Sequence, residues 1–503
     1  MLKDFVNLNK EKNPIDSSSF INLVFAFFPI SFIFGNLITN VNFLLFCILG
    51  IIHLKSKTLT LKFNLPIKII FLLFCLIVFS TTLSFIKYFY LNGYEDVHLT
   101  RLIKSIIFFR FFLMLIIIYF LIELNILNFR YFVISATFAS LIVALDVIYQ
   151  YTFGFNIIGL KSEIHHNSGF FGEEWIAGGF IQNFSFFAIL FITFTLKDKI
   201  KSRFILTTII ICIFGLGILF SGNKMPVILF LFGLLLLFLA TNKLKKIIVV
   251  SLVLLFLSFK FFISSDQFIK NNFLSIYSNA KGIVNALILY PLSEIVSGKE
   301  NKSTDNSELT KNENQQLPLQ TKEKIFIDET KLQVRLFLTA IDIWKENKII
   351  GNGIKSFIYD CFIFQKKDLR ISGQALPIAP LDENTVYEYN FTQEYLETKK
   401  NRLCSNHPHN YYLEILTSTG IVGLFITLVI ASLLIIFIFK NFSLFKKNNL
   451  DNIILLAAMI SLILAVFPFK SSGSIFTTAN TTYITIIASI VLSYAKKLTT
   501  NKT

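Results

Sequence analysis

Long apolar runs constrain this chain more than any other feature. They occupy roughly 18–38, 41–54, 66–86, 104–124, 130–150, 176–196, 203–221, 225–242, 246–263, 411–439, 452–469 and 474–495. An unbroken apolar run of about 18 or more residues is long enough to cross the hydrocarbon layer as a helix. The second run is short, and the first two also read as a hairpin. Of the 503 residues 54% are hydrophobic, 59 of them phenylalanine, and the mean hydropathy is +0.66. No soluble domain carries apolar sequence in this amount and arrangement. The fold class expected is an all-α polytopic membrane protein with about twelve transmembrane helices. The polar first 17 residues lead to Pro29 and Gly35 rather than to a small-residue cleavage site, which reads as an uncleaved anchor.

The net charge is +16, and its distribution carries the information. With the N-terminus inside, basic residues crowd the inner segments: Lys55, Lys57 and Lys62, then Lys197, Lys199, Lys201 and Arg203, then Lys243, Lys245 and Lys246, then Lys496 and Lys497. The short outer segments hold only Lys87, Arg101, Lys104, Lys161, Lys224 and Lys470. This positive-inside asymmetry puts both termini in the cytoplasm and makes a nucleic-acid partner unnecessary. Three parts follow: an N-terminal transmembrane bundle over 1–263, a large outer loop over 264–410, and C-terminal transmembrane helices over 411–503.

Within the outer loop, 266–290 alternates apolar and polar residues at helical spacing, and 293–324 is a polar stretch that reads as a disordered insert. Residues 330–347 read as an amphipathic helix. Phe337, Ile341 and Trp344 form its apolar stripe, with Arg335, Thr339 and Asp342 on the other side; Gly351-Asn-Gly353 ends it. Cys361 and Cys404 are the two cysteines of this loop, and a disulfide between them is expected if the compartment is oxidising; the alternative is two free thiols. Cys404, His407 and His409 lack the paired spacing of a zinc site, so no metal is expected. The nucleotide-binding and serine-elbow motifs are missing too.

The stretch Cys404-Ser-Asn-His-Pro-His-Asn-Tyr-Tyr-Leu-Glu414 runs from a polar loop directly into an apolar span. Asn410 is a good N-cap, and Glu414 falls in the first helical turn. A helix N-terminus disfavours an imidazolium, so His409 is expected to stay neutral and able to accept a proton. The same N-terminus attracts phosphate. Arg110 and Asp146 lie inside spans, where charged groups are costly and commonly face a cavity; snorkelling to the interface is the alternative. Lys224 sits in a kinked turn, Ser221-Gly-Asn-Lys-Met-Pro226, and the loop 151–175 offers His165, His166, Glu173 and Glu174.

These residues resemble the O-antigen ligase and O-antigen polymerase superfamily of bacterial membrane proteins. His409-Asn410-Tyr411-Tyr412-Leu413-Glu414 followed by Thr419-Gly420-Ile421-Val422-Gly423 is similar to the family's His-Asn segment. Arg335 with Trp344, Gly351 and Gly353 resembles its Arg…Trp…Gly-x-Gly stretch. Ser221-Gly-Asn-Lys224 resembles a Ser-Gly-x-Arg turn, with lysine for arginine. Gly169-Phe-Phe-Gly-Glu-Glu174 resembles a Gly-x-Phe-Gly-Asp-Glu loop, with His166 where arginine is frequent.

The resemblance implies a C-type glycosyltransferase architecture with the large loop in the periplasm and the chain in the bacterial inner membrane. The implied donor is an undecaprenyl-diphosphate-linked glycan, the acceptor a hydroxyl of lipid A core or another glycan, and no cofactor is implied. His409 would be the general base. Arg335 and Lys224 would hold the diphosphate and stabilise the leaving group, with Asn410, Glu174, His166 and Arg110 as further substrate-binding candidates. A polymerase extending lipid-linked repeat units is the first alternative, and a polysaccharide transporter or flippase the second. Transporters commonly place broken helices at midplane in paired halves, whereas the polar residues here gather at one face.

Overall fold

The computed structural model describes residues 17–54, 63–92, 96–163, 166–273, 332–361, 404–441 and 449–500. The insert 293–324, His165 and most of the loop 264–410 lie outside the described residues. Among the described residues the chain is helical, with one isolated bridge between Phe155 and Lys161 and no strand. A backbone crossing lipid must satisfy its hydrogen bonds within itself, which helices do.

The apolar runs become helices in sequence order. The first run divides at Phe27 into α1 (Ser17–Ala26) and α2 (Phe28–Ile33), with Pro29 in the first turn of α2. Then come α3 (Asn36–Leu54), α4 (Leu65–Asn92), α5 (Asp96–Phe108), α6 (Arg110–Glu123), α7 (Phe129–Phe153), α8 (Ala177–Thr195), α9 (Ile200–Phe220), α10 (Lys224–Ala240), α11 (Lys245–Ser265) and the short α12 (Gln267–Phe273). After α13 (Leu332–Glu346) follow α14 (Tyr411–Asn441), α15 (Leu450–Ala465) and α16 (Thr478–Thr500). Among the described residues eight segments qualify as membrane spans by length and composition, with α5 and α6 counted as one, and α1–α2, α10 and α15 are shorter apolar helices. The chain is thus a polytopic helical membrane protein. The second run, short by hydropathy, is a full 19-residue helix because Asn36–Asn40 joins it.

Large apolar side chains that face outward, such as Leu37 (74% exposed), Phe256 (66%) and Phe439 (78%), form a surface suited to lipid rather than water. Inside lipid there is little hydrophobic drive between helices, so association depends on close packing and small residues. Gly217 of α9 accordingly lies against the backbone of Ala144 in α7. Ser489 and Ser493 of α16 reach the carbonyls of Leu115 and Tyr119 on α6 at 3.4 and 3.5 Å, pairing the two helices side by side.

Two departures from the sequence-based expectation shape the end of the bundle that carries the His-Asn segment. First, α15 stops at Ala465 and α16 begins only at Thr478. Residues 466–477, divided between two spans by hydropathy, are instead a folded loop. Second, the run over 411–439 is interrupted at Gly420 (φ 64°, ψ −163°). There the segment after α13 is inserted. Ile421 and Val422 N–H donate to the carbonyls of Lys348 and Ile349 at 2.9 and 3.2 Å, and Asn352 and Gly353 N–H donate to Thr417 and Ser418 at 2.8 Å each. A Cβ on Gly351 would collide with the amide of Gly420, and one on Gly420 with the carbonyl of Ile349. Gly351-Asn-Gly353 therefore does more than end a helix: it completes the backbone hydrogen bonding of a broken span.

Helix α13 also differs from its expected form. Phe337 and Ile341 are buried, but so are Val334, Leu336, Leu338, Thr339, Ala340 and Ile343. It packs against Leu413 of α14 and Phe357, so it is enclosed rather than laid on a surface with one apolar stripe.

Candidate active site

The loop 466–477 is the floor on which the His-Asn segment rests. The Asn410 side chain caps α14 in both directions. Its Oδ1 accepts from Tyr412 and Leu413 N–H at 3.0 and 3.1 Å, while its Nδ2 donates to the Pro468 carbonyl at 2.7 Å and Lys470's at 3.5 Å. Ser472 N–H donates to the His409 carbonyl at 2.9 Å. His409 has a left-handed backbone (φ 55°), an uncommon conformation for a non-glycine residue and one that clusters at functional sites. Glu414 is buried; it accepts from the Ser474 hydroxyl and, at 2.7 Å, from Ile475 N–H.

Burial pushes the His409 imidazole below its ordinary pKa, leaving it neutral near pH 7. The His407 ring lies against it, tilted by 39° with centroids 4.2 Å apart. Burial first, and then the neighbouring His409, push His407 down to about 4. Its Nε2 is buried without a hydrogen-bond partner.

Arg335 stands in the first turns of α13, and two residues earlier Gln333 Nε2 donates to Ser471 Oγ at 3.2 Å. The helix that carries Arg335 is thereby fixed to the same loop. Arg110 opens α6, and its Nη2 reaches Thr478 Oγ1, at the far end of the loop, at 3.2 Å. The guanidinium lies over the rings of Phe111 and Phe43. Cys361 and Cys404 are joined by a disulfide with Cα atoms 5.8 Å apart, which ties the helical stretch 356–361 to the base of the histidine segment.

Lys224, His166 and Glu174 belong to a neighbouring group. Lys224 begins α10 just after the turn Ser221-Gly-Asn223. Asn223 accepts from Gly178 N–H at 3.2 Å and donates to the Trp175 carbonyl at 3.1 Å. Asn167 donates to the Phe220 carbonyl at 2.7 Å, and His166 stacks on Trp175 at 4.4 Å. Glu174 is exposed. The two motifs near 170 and 222 thus form one unit, and α10 meets the loop through Phe232 and Phe467, 5.5 Å apart. Asp146 is neither snorkelling nor at an interface. It is fully buried and accepts from Ile157 N–H at 3.0 Å and Asn156 Nδ2 at 3.3 Å, which shapes the loop below His166.

Sequence reasoning missed two groups. Arg101, counted as an outer-loop cation, is 2% exposed. It donates to the carbonyls of Asn352 and Ile354 at 2.6 and 3.4 Å and lies 3.9 Å from Asp360. Burial, more than anything else, raises the Asp360 carboxyl to about 6. His98 is buried and stacks on Tyr88, 4.2 Å away, whose hydroxyl donates to Asp360. The second group is the loop's own Lys470-Ser-Ser-Gly-Ser474; a polar, small-residue run between two apolar spans was its only signal.

Beside the site lies an apolar cavity of about 320 Å³. Tyr412, Val466, Ile475 and Phe476 line it next to the loop, and Asn64 and Ala495 line it at the opposite ends of their helices. Among the described residues no group of three or more metal-binding side chains occurs.

No curated protein matches the chain. Residues 207–428 match the family model described as O-antigen ligase, a stretch that includes Lys224, Arg335, His409, Asn410 and Glu414. That segment, somewhat less than half of the chain, is what the protein shares with the O-antigen ligase family.

Proposed function

We propose that this protein is an O-antigen ligase-type glycosyltransferase of the bacterial inner membrane. It moves a glycan from undecaprenyl diphosphate to a hydroxyl of lipid A core, or of a similar acceptor, at the periplasmic face. The observation that carries the reading is a neutral, half-buried His409 in a left-handed conformation at the capped start of α14, inside the family-matched segment. In this reading His409 takes the acceptor's proton, the acceptor oxygen bonds to the anomeric carbon, and the bond to undecaprenyl diphosphate breaks. A positioned base of this kind contributes roughly 10²–10⁴ in rate.

Arg335 and Lys224 stabilise the departing diphosphate, Arg110, His166 and Glu174 complete the substrate contacts, and Asn410, expected to bind substrate, instead holds the segment that carries His409. The apolar cavity beside Tyr412 supports a lipid-linked donor, since about 300–1,000 Å³ is the usual range for a small-molecule site and its walls suit an isoprenoid tail. Extension of a lipid-linked chain by a second one is the same chemistry with a different acceptor. Purified protein given a lipid-linked glycan and separate acceptors tests the choice. Glycan on lipid A core is the expected product, longer lipid-linked chains would make the protein a polymerase, and no transfer would reject the glycosyltransferase reading.

A further inference from the structure

The loop that supports His409 carries a cation for which the proposed chemistry has so far no use. Lys470 lies in the middle of 466–477, outside the segment that matches the family model. Its carbonyl is held by Asn410, and its ammonium lies 5.9 Å from the Tyr411 ring, at the N-terminus of α14. A helix N-terminus is itself positive, so an ammonium there is repelled unless an anion stands between them.

Among the described residues no carboxylate pairs with Lys470. Glu414, the buried carboxylate bound to this loop, is already occupied by Ser474 and Ile475 N–H. Burial alone pushes the Lys470 ammonium down to about 8, the behaviour of a cation with no counter-charge. Leaving such a group uncompensated costs stability. The same loop lines the apolar cavity through Val466, Ile475 and Phe476. A cation on a loop whose neighbouring residues wall an apolar slot suits one kind of molecule, a lipid that ends in phosphate.

We propose that Lys470 binds the phosphate of the lipid-linked donor, its ammonium supplying the charge that faces the α14 N-terminus across the bound anion. This assignment rests on the donor class of the proposed function and adds to it a binding residue from the last connection of the fold.

Binding of farnesyl diphosphate, farnesol and phosphatidylglycerol to the purified full-length protein in neutral detergent tests it. Wild type is expected to prefer farnesyl diphosphate to farnesol. Lys470→Met should weaken farnesyl diphosphate binding at least tenfold, leave farnesol binding unchanged, and not lower the melting temperature, since it removes an unpaired charge. Lys470→Arg should restore most of the affinity. A purely structural lysine would give the opposite pattern, a lower melting temperature with diphosphate binding intact, and would overturn the assignment alone. Loss of phosphatidylglycerol binding with farnesyl diphosphate unaffected would reassign the charge to bulk lipid and overturn it as well. A wild type indifferent to the diphosphate would reject the donor class and this assignment together.

Discussion

The hydroxyl of Ser474 donates to one oxygen of the buried Glu414 carboxylate, and Ile475 N–H donates to the other at 2.7 Å. Glu414 follows His409 by little more than a helical turn, so one side chain sets the distance between the base-bearing segment and the loop beneath it. Its place in the first turn reads as a simple dipole partner in the sequence, but the structure gives it two fixed donors. Glu414→Gln replaces one accepting oxygen by a donor facing a donor. A loss of about 1–3 kcal/mol is expected, seen as a lower melting temperature in detergent, with turnover falling alongside.

His409→Ala should lower turnover by roughly 10²–10⁴ without lowering the melting temperature. Because the two rings lie in contact, His407→Gln should also slow turnover, though less. The pH profile follows from the sign of the shift. The base works when neutral, and burial lowers its folded-state pKa below the ordinary 6.5. The acid limb of kcat/KM should therefore fall below pH 6.5, with activity level above it until another group titrates. An acid limb above pH 6.5 would show that His409 is not the base.

The glycines offer a sharper structural test. Gly351→Ala and Gly420→Ala each place a methyl against backbone and require a left-handed residue with a side chain. Each should cost about 2–3 kcal/mol or more, in the range of strained-backbone and overpacking changes. Gly179→Ala, where a Cβ meets nothing within 4 Å, should be neutral or slightly stabilising. Equal melting temperatures for all three would refute the inserted-segment reading.

Arg101→Ala leaves Asp360 buried without its cation and the carbonyls of Asn352 and Ile354 without their donor. Breaking a buried pair from one side commonly costs about 3–5 kcal/mol. Lys104→Ala, three residues on and only partly buried, should change stability by less than about 0.5 kcal/mol. Asp360→Asn combined with Arg101→Ala should recover part of the loss, which a double-mutant cycle would measure.

The apolar runs made most helices legible because a span must be long and apolar whatever surrounds it. The same signal hid what happens inside a run. Thr419-Gly420-Ile421-Val422-Gly423 is as hydrophobic as its flanks, so hydropathy shows no break at Gly420; only another segment's backbone makes the break favourable. Phe467 and Phe469 extended the apolar pattern of α15 past its end, which concealed the loop and left Lys470 as one more outer lysine. Arg101 was misread for a related reason: a charge count sees sign and sidedness, whereas its burial depends on Asn352, Ile354 and Asp360, some 250 residues later. His409 and Asn410 were legible because their chemistry is local, a cap and an imidazole where a polar loop enters an apolar helix.

The insertion at Gly420 has a consequence for how the protein is made. Around 417–422 the helix α14 lacks its own continuous hydrogen bonds, and lipid offers none in exchange. A membrane-insertion machine receiving α14 by itself would release a helix with bare backbone groups in hydrocarbon. The complementary segment 348–353 lies earlier in the chain, so it is translated before α14 arrives. Biogenesis thus has a fixed order: the partner segment is made first, and the last spans mature by closing onto it.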